Sequence, residues 1–361
     1  MVITKGSKTA NILAELINPS YTQKATTNVS YVEFVKDKGI YIRFDDAIES
    51  LFITDKTVDF SCEVVGSYLV TVLNFTLAKN DANISFINGK VMVSGFAFDT
   101  KDEQQLESVN FSQAHITFTK EQWAKLEKDF VATAGNTFKN PRITDVVNFT
   151  VHQGVLYKTL PNISHWEISK FDATIDDVGL SQEYGHTTKI WGLPKKVWSL
   201  LKEADEVQLF LANYNKILAK ADGLELVYSI YPSKNTAFLD MLEKRTNGQK
   251  CLTIKDISAN GELLRLLEDS KKYAFEQEEN KSCLITVEEG ELKFEVDTNA
   301  STKFKIAYSG PTVKISVDLV VLEHVLKYLP EDTEIREYEK SIIFVNGDKT
   351  IFVANRGTPT N

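Results

Sequence analysis

Lysines spaced along one side of short amphipathic helices are the residues of this 361-residue chain best suited to chemistry, and that chemistry is phosphate contact. Around Thr119–Phe130, Lys120, Lys125 and Lys128 oppose the apolar stripe Trp123, Leu126 and Phe130. In a later stretch Lys195, Lys196 and Lys202 oppose Trp198 and Leu201. Other helix-like stretches contribute Lys8, Lys79, Lys271, Lys272 and Lys327, and nearby loops add Lys24, Lys139 and Arg142. Ammonium groups on a free helix face position a polyanion but read no sequence. The same pattern also keeps a helix soluble, and Glu121, Glu127, Asp129, Glu262, Glu268 and Asp269 are interspersed with the lysines.

Catalytic signatures are absent. The chain has no GxxxxGK loop, no GxGxxG after a strand, no HExxH and no GxSxG. Its five histidines show no ligand spacing. Asp45-Asp46, and Asp172 with Asp176-Asp177, could hold a divalent ion, but adjacent acids in a turn are far more often solvated. Cys62, Cys251 and Cys283 are too few and too scattered for a disulfide framework or a zinc site, and read as small buried hydrophobes in a reducing compartment. No enzyme activity, cofactor or metal is expected.

The elements that position the lysines form one unit read six times: a short helix followed by a β-hairpin. The hairpins are Val32–Val35 with Gly39–Ile42, Ile84–Ile87 with Lys90–Val93, Val147–Val151 with Gly154–Leu156, Val207–Leu211 with Ile217–Ala219, Leu284–Val287 with Gly290–Phe294, and Ile342–Val345 with Thr350–Val353. Each is an apolar alternation broken at a Gly or Asn turn. The helices have their own signals. Thr9–Ile17 carries Ile12, Leu13, Leu16 and Ile17 on one face and ends before Pro19. The stretch 63–75 is apolar enough to be a helix or a buried strand. Thr119 and Gln122 form a capping box, and Pro194 suits the first helical position. The fifth helix uses Leu263, Leu264, Leu266 and Leu267; the sixth uses Leu319, Val321, Leu322, Val325 and Leu326 and stops before Pro330.

Taken in pairs, the units give three similar blocks, 1–110, 111–236 and 237–361, with a further helical turn expected through Lys244. Each block is a two-layer α+β domain with two helices on antiparallel sheets. A series of such blocks leaves sheet edges at its ends, and closure with a second chain removes them. A composition of 43% hydrophobic and 25% charged residues is that of an ordinary globular protein. No apolar run reaches the ~20 residues of a membrane span, and residues 1–5 lack a signal-peptide core, so a cytoplasmic location is expected. A net charge of −9 excludes a uniformly basic nucleic-acid binder but allows positive charge gathered on one surface.

On this pattern the chain resembles the bacterial-type DNA polymerase sliding clamps, the β-subunit processivity factors, over its full length. The resemblance is clearest in Pro311–Leu329, in the closing stretch Thr350–Arg356, and in Tyr231-Pro232 ahead of Phe238-Leu239. The family's Ala-Thr-Asp-X-X-Arg pattern is missing; the nearest stretch in the second block is Ile168-Ser169-Lys170-Phe171-Asp172. Val353 and Asn355 stand where methionines are common. Such departures would suit a divergent member, phage-encoded or otherwise outlying.

The resemblance implies a homodimeric ring with helices lining the hole, which encircles duplex DNA, needs a loader to open it and tethers a polymerase through short hydrophobic peptides. It places the peptide pocket at Val151, Pro232, Ala237, Phe238, Ile351 and Val353, which could equally be core residues of their sheets. Ring closure would use Phe96 and Phe98 against Tyr273 and Phe275, either as interface anchors or as core residues. Two rivals are a repeated β-rich structural or virion protein without DNA binding, and a hydrolase using loop acids such as Asp172 and Asp176.

Overall fold

A strand, a helix and a three-stranded meander recur six times in the computed structural model. The structure describes residues 1–17, 29–44, 48–101, 111–134, 146–161, 165–176, 189–212, 216–229, 236–271, 282–297, 300–339 and 341–354. In the first module the strand Val2–Ile3 leads into the helix Lys8–Ile17, followed by strands Val29–Val35, Gly39–Phe44 and Ile48–Thr54. The later modules open with Cys62–Val65, Phe111–Thr119, Lys189–Pro194, Gln249–Thr253 and Val313–Asp318. All six hairpins expected from the sequence form, and five of them gain a third strand on their C-terminal side. Tight turns at Asn88-Gly89, Gln153-Gly154 and Asp222-Gly223 have positive φ at both residues, the geometry that matches strand twist.

The leading strands are exchanged between neighbouring modules. Val2–Ile3 pairs with Ala82–Ile87 of the second module, and Cys62–Val65 returns to pair with Val29–Val35 of the first. The last two modules repeat this: Gln249–Thr253 pairs with Glu334–Tyr338, and Val313–Asp318 with Ser282–Glu288. Phe111–Thr119 likewise pairs with Glu206–Ala212.

Contacts divide the chain into two units, Met1–Phe130 with Asp172–Thr187 and Trp191–Ser233, and Val131–Phe171 with Thr188–Ile190 and Lys234–Asn361. The first unit holds one 13-stranded sheet, in which Leu224–Ser229 joins Ile48–Thr54 edge to edge. The outer edge of that sheet's Phe96–Lys101 strand pairs with Glu63 and Val64 only at Lys101 and Thr100. In the second unit His165–Lys170 pairs with Lys349–Ala354, and Ala300–Lys305 ends a separate four-stranded sheet.

Each helix buries one face. In the second unit Leu263 and Leu267 of Glu262–Lys271, with Val321, Leu322 and Val325 of Leu319–Tyr328, lie on Ile285, Ile315, Phe344 and Ile351. The ambiguous stretch at 63–75 is both strand and helix, changing at Gly66. A Cβ there would meet Val29 Cγ1 at 2.4 Å, so only glycine lets the helix start this close to the strand. Pro194 stands at the cap, one residue before the helix Lys195–Leu200, not inside it. The turn expected through Lys244 is a full helix, Thr236–Asn247. Among the described residues no helix is long and apolar enough to cross a membrane.

Candidate nucleic-acid interface

The Thr119 capping box forms as the sequence requires: Gln122 N donates to Thr119 Oγ1 at 3.4 Å and Thr119 N to Gln122 Oε1 at 2.9 Å. It fixes the helix Lys120–Lys125, whose Trp123 is fully buried along with Leu126, while Lys125 and, beyond it, Lys128 stay exposed. The partner helix Lys195–Leu200 is held by a reciprocal exchange. Trp198 Nε1 donates to the carbonyl of Trp123 at 2.9 Å, and Trp123 Nε1 to the carbonyl of Trp198 at 3.3 Å. Two indoles locked in this way aim the opposite faces of both helices, with Lys195 and Lys196 half-buried at their bases and Lys202 exposed just beyond.

Lys8, Lys120 and Lys327 are among the sequence-selected lysines engaged with acids. Lys8 pairs with Asp222 at 3.4 Å, Lys120 with Asp205 at 3.0 Å and Lys327 with Glu268 at 3.6 Å. The Asp205 carboxylate pushes the Lys120 ammonium above its ordinary value, chiefly by accepting its hydrogen bond. All six side chains are well exposed, so such pairs hold little energy and can be exchanged for phosphate. Lys125, Lys128 and Lys195 form no ion pair among the described residues. Lys79 lies over the Phe75 ring, 4.6 Å from its centroid. Lys24, Lys139, Arg142 and Lys272 lie outside the described residues, and Lys271 ends the helix Glu262–Lys271.

A second surface belongs to the second unit. On the sheet face away from its lysine-bearing helices, Ile168, Ile343, Val345 and Phe352 carry the helix Thr236–Asn247 through Phe238 and Met241. Phe238 is 3% exposed and meets Tyr157 edge-on at 5.4 Å and His152 at 6.1 Å. Of the expected pocket residues, Val151 is half-buried and pairs with Leu156, on the strand face opposite His152 and Tyr157. Ile351 and Val353 point away from Phe238 and are sealed in the core, because successive residues of a strand alternate; Phe352 between them is the residue on the Phe238 side. Ala237 is the second residue of that helix and Pro232 lies outside the described residues. For ring closure, Phe96 is 58% exposed and Phe98 half-buried on the strand Phe96–Lys101, whose outer side is paired only at Thr100 and Lys101, while Tyr273 and Phe275 lie outside the described residues. Among the described residues no group of three or more His, Cys, Asp or Glu could hold a metal.

No protein-family model and no curated protein matches the sequence. Solved structures do match. The DNA polymerase sliding clamp of Pseudomonas aeruginosa is 15% identical, with 98% of each chain covered and a TM-score of 0.66. The clamp of Caulobacter crescentus is 12% identical with the same coverage and TM-score, and the Helicobacter pylori beta clamp bound to a DNA ligase peptide is 11% identical at 98% of each chain and 0.61. The chain has the sliding-clamp fold.

That fold explains the pairing of helices and sheets better than the sequence does. What the sequence missed are the exposed aromatics: Tyr68 is 79%, Phe75 66% and Tyr328 63% exposed, each on a helix whose other side is core. The available signal was in the apolar stretch 63–75, which holds more large side chains than one buried helix face can take.

Proposed function

We propose that this protein is a DNA sliding clamp: a homodimeric ring that encircles duplex DNA without regard to sequence and confers processivity on a replicative DNA polymerase in the cytoplasm. The observation that carries the proposal is a clamp fold matched over 98% of both chain lengths, in which every module presents a helix and Lys8, Lys79, Lys120, Lys125, Lys128, Lys195, Lys196, Lys202, Lys271 and Lys327 lie on those helices or just beyond their ends. The three exchanges of leading strands support a reading in three domains, 1–110, 111–236 and 237–361. In this reading the mechanism is topological. A closed ring cannot leave the duplex sideways, so its phosphate contacts can be weak and fast to exchange, and an overall charge of −9 is no obstacle when lysines line the hole. The chain carries no nucleotide-binding loop, so opening falls to a separate loader.

Ring closure would set the free edge of Phe96–Lys101, with Phe96 and Phe98, against the edge strand Ala300–Lys305 and the Tyr273–Phe275 stretch of a second copy. Partners would dock short hydrophobic peptides beside Pro232, Ala237 and Phe238, with Phe352 taking the place of Ile351 and Val353. The ligase peptide on the Helicobacter pylori clamp supports this mode of docking.

The test is charge reversal of Lys125, Lys128, Lys195 and Lys196 together, read as product length on a primed circular template with polymerase and loader. Shorter products from a protein that keeps its fold and mass are expected, together with a lower salt sensitivity of DNA binding, since each lost phosphate contact reduces the slope by about 0.9. Unchanged product length would overturn the assignment of these helices to DNA.

A further inference from the structure

The helix Gly66–Leu77 departs from a phosphate-contacting wall. No Asp or Glu occurs from Val64 to Asn80 in a chain that carries 50 acids, and the exposed side of this helix carries rings. Tyr68 and Phe75 stand 79% and 66% exposed, seven residues and so about 10 Å apart along one face. Lys79 Nζ lies 4.6 Å from the Phe75 centroid, and Lys5 Nζ donates to the Lys79 carbonyl at 3.4 Å, so one ammonium covers the ring and a second sits just past the end of the helix. The sixth module repeats the device. Tyr328 is the tenth residue of its helix, as Phe75 is of the second module's helix; it is 63% exposed, with Lys327 Nζ 5.8 Å from its centroid.

We infer that these ring–ammonium pairs, Phe75 with Lys79 and Tyr328 with Lys327, together with Tyr68, form stacking sites for unpaired nucleobases, so that the clamp also holds single-stranded DNA. The inference rests on the sliding-clamp reading above. A duplex offers an exposed ring nothing to stack on, because its bases are already stacked on one another, and lysine alone satisfies its phosphates. A single strand offers π-faces and phosphates together, and base–aromatic stacking tolerates any sequence. Charge complementarity selects the occupant: a helix without acids that presents a ring under an ammonium suits a polyanion carrying free rings, and at Tyr328 the exposed Lys327–Glu268 pair can exchange for phosphate.

The experiment uses the full chain and a fluorescein-labelled oligothymidylate, with a duplex of equal length alongside, read by fluorescence anisotropy at two salt concentrations. Tyr68→Ala with Phe75→Ala should weaken binding of the single strand by about tenfold or more and leave the duplex nearly unchanged. Tyr68→Trp with Phe75→Trp should restore it, because any ring stacks. Single-strand affinity that is insensitive to the alanine pair overturns the inference. So does equal weakening of single strand and duplex, or a tryptophan pair as weak as the alanine pair. Product length on the primed circular template separates the two readings: full processivity with unaltered single-strand binding defeats this inference alone, whereas no processivity from the unmodified protein defeats the clamp reading itself.

Discussion

Replacing Trp198 by phenylalanine tests whether the paired indoles hold the two helices of the middle module pair together. The substitution removes the Nε1–H that donates to the Trp123 carbonyl at 2.9 Å, a bond in a site where Trp123 is 0% and Trp198 7% exposed. The carbonyl keeps a second donor, Leu126 N at 3.2 Å, so it is not orphaned, and the loss is the net value of one buried bond, about 1 kcal/mol. The pyrrole edge adds about three buried heavy atoms at ~0.8 kcal/mol each, roughly 2 kcal/mol more. The total of about 3 kcal/mol corresponds to a fall of about 6–12 °C for a unit of 150–250 residues. Calorimetry should show one transition moving by that amount while the transition of the other unit stays in place. A shift below about 2 °C would refute the reasoning, since it would mean that neither the bond nor the ring edge is held in the folded state.

Gly66→Ala should destabilise the protein by about 1–3 kcal/mol in urea titrations, because its Cβ would sit 2.4 Å from Val29 Cγ1 and 3.2 Å from the Tyr31 backbone; a neutral outcome would show that the helix start can shift. Burial pushes the Cys62 thiol up to about 12 and Cys251 to about 11, and raises Cys283 as well, so iodoacetamide at pH 8 should label the native chain slowly and all three thiols after denaturation. Arg336, at 2.6 Å, and Lys250, at 3.1 Å, hold the Glu334 carboxyl below its ordinary value. Its folded form therefore gains stability above the unfolded pKa and loses it as pH falls through the folded one. Glu334→Gln should accordingly lower stability most at neutral pH, where the paired carboxylate contributes, and least in acid, where that contribution is already lost, so that the acid limb of the stability–pH curve flattens; an unchanged acid limb would remove the pair from the account.

Hairpins were legible because their signal is local: alternation over a few residues and a turn residue such as Gly89 or Gly290 decide the outcome before any tertiary contact forms. The Thr119 capping box was legible for the same reason. Leading strands such as Cys62–Val65 were harder to read, because they are short, buried on both faces and completed by a partner strand from another module. The second capping box, Thr253 with Asp256, uses Asp in place of Glu or Gln and begins a helix of only five residues. Helix Thr236–Asn247 reads as polar overall and takes its place chiefly from Phe238 and Met241, with Leu242 beside them. At the candidate site, residue types were readable and faces were not. The one-residue offset between Ile351 and Phe352 decides whether a side chain lies in the helix-covered core or beside Phe238, and it follows from strand register.

The exchange of leading strands sets a timetable for synthesis. The terminal amine of Met1 donates to the carbonyl of Ile84, 83 residues on, and Val2–Ile3 have their β partners only at Asn83 and Ala82. At about 5–20 residues per second the ribosome takes roughly 4–17 s to deliver that partner. For the first three-quarters or so of that interval the first meander also lacks its neighbour Cys62–Val65, and the row of amides and carbonyls along Val29–Val35 stays open to any strand nearby. Each block thus emerges as an unfinished sheet and closes only when its second module arrives, so the chain matures in three instalments and is most exposed to mispairing just before each one is complete.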